Sequence, residues 1–269
     1  IRTRVDAMLS SQTGTVPDYD LLWTSIYTFQ CRRMKDFRKD RVFFAGDAAH
    51  QVSPFGARGA NSGIQDAENL AWKLDRVCKG TASEALLDSY HEERSFAADE
   101  NILNSSRSTD FMTPKSAASR VFRDAVLHLA KEHSFARPLE NSGRLSMPCI
   151  YDGHARFGDD VLAGPAVSRP GAPCPDAPLA QGYLLDALSS EFTLLLINQT
   201  PFEATQMDPM LSALKVDTIS EPLRARYLVE NKRAAYLIRP DHHVVARWPD
   251  FNASKGQNAL RNALAEGLK

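Results

Sequence analysis

The chain has 269 residues, enough for two domains, and its 43% hydrophobic and 24% charged content is that of an ordinary globular protein. A formal net charge of -1 gives no long-range field to attract nucleic acid or an anionic membrane, and no stretch approaches the roughly 18 apolar residues of a membrane span. Cys31, Cys78, Cys149 and Cys174 lie far apart with no CxxC, which fits reduced thiols better than a disulfide framework or a zinc site. The start of the chain has no signal-peptide pattern and opens on Ile1, so we expect an excerpt of a longer cytoplasmic protein.

Residues 1–18 are polar, with Gly14 and Pro17, and predict a helix end followed by a turn. LLWTSIYTFQC, residues 21–31, is rich in aromatic and β-branched side chains and predicts a strand. A charged connector, residues 34–40, leads to a run at 42–45 that reads as a buried strand stopped by Gly46 and Asp47. Pro54, Gly56 and Gly59 make residues 48–59 a backbone-shaped loop. A helix is predicted from Ala60 or Asn61, with Ile64, Ala67, Leu70, Ala71, Leu74 and Val77 as its apolar stripe. Thr81 and Glu84 have capping-box spacing before a second helix over residues 83–104. Ala118, Val121, Phe122, Ala125 and Leu129 mark one face of a third helix within residues 116–131. The proline-rich stretch 137–178 reads as a linker wrapped on the surface. Beyond it come a helix near Leu184, the strand FTLLLIN, a helix around Met210, the segments RARYLVE, AAYLIRP and HVVARW, and a last helix over 257–268. This mixture has the scale of a small α/β domain.

Residues 41–74, RVFFAGDAAHQVSPFGARGANSGIQDAENLAWKL, carry the chemistry. A strand would deliver Asp47 to its end, where a carboxylate accepts hydrogen bonds from sugar or ribityl hydroxyls. Ala48 and Ala49 would let a bulky ligand approach the backbone. Gly59, Ala60 and Asn61 would offer unpaired N–H groups at the positive end of a helix, which accepts anionic or electron-rich groups. Each residue also has a plainer use. Asp47 could end a strand, and Gly59 with Asn61 could be an ordinary helix start. His50 could buttress the loop or act as a base, and Arg58 could be a solvated cation or a ligand contact. His242 and His243, adjacent in a hairpin, would point to opposite faces, so no metal site is expected there.

GDAAH, Pro54, G-x-x-G-x-N-x-G and DAxNLAWKL, continued by S-Y-x-x-E-R at residues 89–94, together resemble the second flavin motif of the class A FAD-dependent aromatic hydroxylases. Para-hydroxybenzoate hydroxylase, phenol hydroxylase and 3-(3-hydroxyphenyl)propionate hydroxylase belong to that family. The resemblance implies that Gly46 and Asp47 bind the ribityl and pyrophosphate region of FAD. Pro54 would pass beside the flavin ring where substrate is oxidised, which makes it the catalytic candidate. The N–H groups of Gly59, Ala60 and Asn61 would stabilise negative charge on the reduced flavin. It also implies an FAD-dependent monooxygenase that hydroxylates a small phenolic or other aromatic substrate with NAD(P)H and O2, acts as a homodimer, and has no nucleic-acid, membrane or metal partner. Arg58 departs from the G-x-G that many relatives carry ahead of the asparagine.

The family's G-x-G-x-x-G unit and central D-G motif have no counterpart here, so the chain is expected to be a C-terminal portion that holds FAD poorly by itself. The expected fold class is α/β (mixed α+β), the last part of the FAD-hydroxylase fold followed by a thioredoxin-like domain. PGAPCPDAPL and YLIRPDHHVVARW carry the second resemblance. Its boundaries would be residues 1–40 for the end of the substrate domain, 41–136 for the FAD-binding part, 137–169 for a linker and 170–269 for the tail. Ala177 stands where a thioredoxin would need its second cysteine, so Cys174 is not expected to exchange dithiols. Two other readings stay open: an oxidoreductase of the same fold that does not hydroxylate, and a non-enzymatic dimerisation module with a vestigial flavin motif.

Overall fold

Helix α1 (Arg2–Thr13) ends at Gly14, whose φ of 74° is the left-handed cap that glycine adopts without a Cβ penalty. The computed structural model describes residues 1–140, 147–158, 160–199, 208–230 and 232–265. The strand expected over residues 21–31 is absent: Trp23 and Ile26 are 83% and 96% exposed, in backbone without regular structure. A strand needs a ladder partner for its N–H and C=O groups, and the first residues to find one are β1 (Arg32–Arg33), antiparallel to β4 (His50–Gln51). Between them, β2 (Arg38–Lys39) and β3 (Val42–Phe43) form a short hairpin turned at Asp40, φ 53°. The expected buried strand at 42–45 is thus two residues long, and Val42 is exposed.

Helix α2 (Arg58–Cys78) packs against α3 (Ala85–Met112), which runs eight residues past the expected end at 104. Their interface departs in part from the sequence expectation, since Leu70 and Val77 of the apolar stripe pack half-buried on the core while the fully buried positions are largely polar. The buried face of α2 is Arg58, Ser62, Asp66, Asn69, Trp72, Lys73 and Arg76, whereas Ile64 of the apolar stripe is 66% exposed. The capping box also fails to form, because the Thr81 hydroxyl donates to Arg76 O at 3.1 Å and Glu84 makes no side-chain cap. Helix α4 (Ala117–Glu132) starts on a working cap, Ser116 Oγ accepting from Ser119 N–H, but buries only Val126 and leaves Val121 and Phe122 exposed. The short α5 (Arg137–Glu140) follows it.

The stretch expected to wrap the surface is instead partly core. Cys149, Tyr151, Ala172, Cys174 and Ala177 are buried. Gly158 N–H and Gly171 N–H donate to the carbonyls of Val245 and Val244 at 2.7 and 2.8 Å, so the segment satisfies its polar backbone on a neighbouring strand. Gly171, at φ 84°, must be glycine: a Cβ there would stand 2.6 Å from Tyr151 O.

After α6 (Leu184–Ala187), the tail forms one sheet from β5 (Phe192–Ile197), β6 (Leu211–Val216), β7 (Ala234–Ile238) and β8 (Val244–Trp248), in the order β6-β5-β7-β8. β5 is parallel to β6 and antiparallel to β7, and β7 is antiparallel to β8. Met210 lies in the turn that opens β6, so the helix expected around it gives way to pairing with β5; residues 200–207, which that helix would have shared, lie outside the described residues. Every residue of β5, β7 and β8 is buried, because both faces are covered. One face packs on α8 (Ala253–Ala263) and on Trp72 and Leu86 of α2 and α3; the other packs on Leu184 and on α7 (Glu221–Tyr227). Asn252 caps α8 by accepting from the N–H groups of Ser254 and Lys255, which starts that helix earlier than expected; it ends at Ala263, short of the expected 268, and residues 266–269 lie outside the described residues. The architecture is mixed α/β.

Candidate functional site

The GDAAH segment folds as a single 3-10 turn, Gly46–Ala48, laid directly on the backbone of α2. Gly46 has φ 58°, and a Cβ added to Gly63 would meet Gly46 Cα at 3.3 Å, so two glycines permit the approach. The turn is held by Asp66, which is fully buried. Asp66 Oδ2 accepts from Gly46 N–H at 2.9 Å and lies 2.7 Å from His50 Nε2, while Oδ1 accepts from Arg94 Nε at 2.6 Å. Burial alone would raise the pKa of Asp66, but the His50 hydrogen bond and the Arg94 charge hold it below the ordinary value. Arg94 also donates to Tyr151 Oη at 2.7 Å and to Ser62 O at 3.3 Å. Burial pushes the Tyr151 hydroxyl up, so it stays a neutral partner.

His50 is therefore a buried support: its ring lies 5.8 Å from that of Phe37, nearly parallel to it, and its Nε2 faces Asp66. Asp66 and Arg94 are the organising pair that the sequence reading did not single out. The signal for Asp66 was present as a polar stripe, Ser62, Asp66, Asn69 and Lys73, at helical spacing beside the apolar one.

Asp47, next to the pinned Gly46, is exposed beside a cleft of about 240 Å³ shared with Arg32, Arg33 and Gln51. Its Oδ1 lies 4.0 Å from where a Cβ on Gly59 would stand, which sets the carboxylate at the start of α2. Ala57, at φ 52° and ψ 36°, turns the chain into that helix, and no side chain caps it. The first-turn N–H groups of a helix have no intrahelical acceptor, and here they include those of Gly59 and Ala60, with Asn61 the next residue along. The Asn61 side chain folds back, Nδ2 donating to Ala57 O at 2.9 Å. Pro54 is exposed on the loop that enters α2, its carbonyl accepting from Ala57 N–H at 3.0 Å. Gly46, Asp47 and Gly59 thus converge, Ala60 and Asn61 continue the same helix end, and Pro54 borders it.

Arg58 is neither solvated nor a free cation at this helix end. It is buried, donating from Nη1 to Asn101 Oδ1 and from Nη2 to Met147 O, which ties α2 to α3 and to the segment after residue 146. An exposed carboxylate beside an uncapped helix start suits the flavin and ribityl end of FAD: the acid accepts hydroxyls, and the N–H groups face an electron-rich edge. No G-x-G-x-x-G turn is present in the sequence to receive the ADP end.

Residues 2–105 match the family model described as "FAD binding domain". The 3-(3-hydroxy-phenyl)propionate/3-hydroxycinnamic acid hydroxylase of Comamonas testosteroni is 41% identical over 122 residues, 45% of this chain and 21% of that protein. The rifampicin monooxygenase of Rhodococcus hoagii is 33% identical over 227 residues, 82% of this chain and 42% of that protein. The solved structure of the Diels-Alderase PyrE3 of pyrroindomycin biosynthesis superimposes with a TM-score of 0.65 at 27% identity, covering 97% of this chain and 50% of that one. The chain thus spans half or less of the length of these proteins. The flavin-motif residues assembled on one helix end lie within the segment that matches the FAD-binding model, and these likenesses support the class A FAD-dependent aromatic hydroxylase family.

Proposed function

We propose that this chain is part of an FAD-dependent monooxygenase that hydroxylates a small phenolic or other aromatic compound with NAD(P)H and O2. The observation that carries the reading is the uncapped start of α2 beside the exposed Asp47 carboxylate, on a turn that buried Asp66 holds in place. FAD, when bound, supplies the redox and oxygen-activating chemistry. The protein's part is to hold and shield it. Asp47 and the Gly46 turn take the ribityl and pyrophosphate region, and the N–H groups of Gly59, Ala60 and Asn61 donate to the pyrimidine edge of the ring. The Pro54 loop borders the face where the aromatic ring enters. Aromatic substrates are supported by the names of the hydroxylase relatives.

The same reading takes residues 1–40 as the end of a substrate domain, 41–136 as FAD-binding, 137–169 as a connection and 170–269 as a thioredoxin-like tail. The sheet order β6-β5-β7-β8, with one parallel and two antiparallel pairs, supports the last assignment. The tail is not a dithiol exchanger: Cys174 is buried 3.0 Å from Tyr227 Oη, and burial pushes its thiol up to about 12. A homodimer in the cytoplasm completes the proposal; among the described residues no helix is long and apolar enough to cross a membrane.

Titration of FAD fluorescence tests the site. Weak quenching by the chain that weakens further in Asp47→Ala, by roughly tenfold to a hundredfold for a lost charge-assisted hydrogen bond, is the expected result. Equal quenching by both proteins would remove Asp47 from the site. A second reading, a protein of this fold that does not hydroxylate, is favoured by the PyrE3 likeness. Joining the chain to a G-x-G-x-x-G unit and measuring NAD(P)H oxidation and product formation with phenols separates the two.

A further inference from the structure

We infer that the tail sheet positions the flavin turn, with Arg239 and Asp241 as the positioning residues. This rests on the reading of Gly46, Asp47 and the start of α2 as FAD contacts. Arg239 follows β7 and is 1% exposed. Its guanidinium donates to both Glu93 oxygens at 2.9 and 2.8 Å and to both oxygens of Asp241, in two forked pairs. It also lies over the rings of Trp72 and Phe157, 5.2 and 4.9 Å from their centroids. Asn69 Nδ2 donates to Glu93 at 2.7 Å and to Asp241 at 3.0 Å, and Lys73 Nζ stands 3.1 Å from Glu93 Oε2 as an ion pair. Two residues of α2, Asn69 and Trp72, and one of α3, Glu93, therefore rest on one arginine and one aspartate of the tail, with Lys73 joined to them through Glu93.

The cluster that holds the flavin turn is built from the neighbouring residues of the same two helices. Glu93 faces the tail and Arg94, its successor, faces Asp66; Asn69 faces the tail and Asp66, one helical turn earlier, holds Gly46. A helix is stiff over such distances. From Lys73 back to Gly59 is 14 residues at 1.5 Å each, a lever of about 21 Å, so a tilt of about 3° at the tail end moves the flavin end by about 1 Å. A displacement of that size is enough to spoil a catalytic geometry. Arg239 and Asp241 reach the cofactor site through α2 and α3, and touch neither cofactor nor substrate.

The test uses the full chain with Arg239→Lys, which keeps the charge and loses the fork and the stacking, and the charge-balanced pair Arg239→Met with Glu93→Gln in case the first folds poorly. Amide hydrogen exchange is followed at Gly46 and Ala49, which report the turn, and at Leu194 and Leu195 in β5, which report global unfolding. The proposal expects exchange at Gly46 and Ala49 to accelerate at least threefold more than in β5. Equal acceleration throughout, or a change confined to the tail, would overturn it, since that is what a merely stabilising role produces. FAD titration of the same variants should show affinity reduced with the turn. If wild type and Asp47→Ala quench alike, the FAD reading fails while the exchange result still decides whether Arg239 positions the turn.

Discussion

Helix α2 and the tail sheet bury opposite chemistry. In β5, β7 and β8 nearly every inward position is apolar and both faces are covered, the arrangement that gives stability without direction. In α2 the inward face is Ser62, Asp66, Asn69, Lys73 and Arg76 with Trp72 among them, and the apolar residues Ile64, Ala67 and Ala71 face outward. Hydrogen bonds and ion pairs fix angles and registers that hydrophobic contacts leave loose. The sheet supplies the stability, then, and α2 supplies the geometry at the helix end next to Asp47. Trp72 joins the two regimes, its ring 5.7 Å from Phe192 in an edge-to-face contact and stacked beneath Arg239.

The comparison predicts where substitutions hurt. Asp66→Ala strands the buried Arg94 and should cost about 3–5 kcal/mol, and Trp72→Ala should cost about as much by opening a cavity; urea unfolding measures both. Asp66→Asn, which keeps one acceptor, should cost visibly less. A loss below about 1 kcal/mol for Asp66→Ala would mean that the polar face of α2 has little part in holding the fold.

Acid should act on the polar side first. Burial alone would raise the pKa values of Glu93 and Asp241, but Arg239 beside both, with Lys73 near Glu93 and His243 near Asp241, holds them below their ordinary 4.5 and 3.8. As pH falls, the unfolded chain takes up these protons before the folded one. The contribution is complete above about pH 5 and is lost progressively below it. Lys73 acts in the other direction: burial lowers its pKa from 10.5 to about 8 despite Glu93, so its own contribution to stability grows as pH rises between those values. Thermal unfolding between pH 3 and 6, compared for wild type and Glu93→Gln, should show a shallower acid slope in the variant.

Smaller effects sharpen the contrast. Ile64→Ser and Asp47→Ala are exposed changes and should alter stability by no more than about 0.5 kcal/mol, although Asp47→Ala is the change expected to weaken FAD binding. A large loss from Ile64→Ser would show that the outer face of α2 is covered in solution. The smallest effect is chemical. Cys31 and Cys78 are exposed while Cys149 and Cys174 are buried, so a thiol reagent should modify the first two quickly and the others only after unfolding.

What the sequence revealed follows the same division. The tail strands were legible because FTLLLIN and HVVARW are continuous apolar runs, and such runs are buried wherever they go. The helix behind Ser116 was legible from its helical spacing, although the Ser116 cap that starts it was not singled out. Asp47, Gly59 and Asn61 could be named as candidates because their spacing is carried by a motif. The inward face of α2 was read only in part: Leu70 and Val77 pack half-buried against the core, but the fully buried positions lie on the polar stripe beside them, because periodicity finds faces and the neighbours decide which is covered. The strand at 21–31 failed for a related reason: propensity cannot provide a ladder partner. Asp66 was missed because its role depends on Gly46 and His50 of one segment and Arg94 of another arriving from elsewhere in the chain.

The quartet Lys73, Glu93, Arg239 and Asp241 bears on how this family can be recombined. Two positive and two negative charges balance in a buried cluster, and Glu93 and Arg239 are 146 residues apart in the chain. Any crossover between those positions separates donors from acceptors of the same cluster. Hybrids of two parents that differ at one of the four would inherit a buried charge with no counterpart, a penalty of about 3–5 kcal/mol that no repair of the junction could relieve. Shuffled libraries should therefore survive according to whether the parents agree at these four positions, wherever between them the crossover falls.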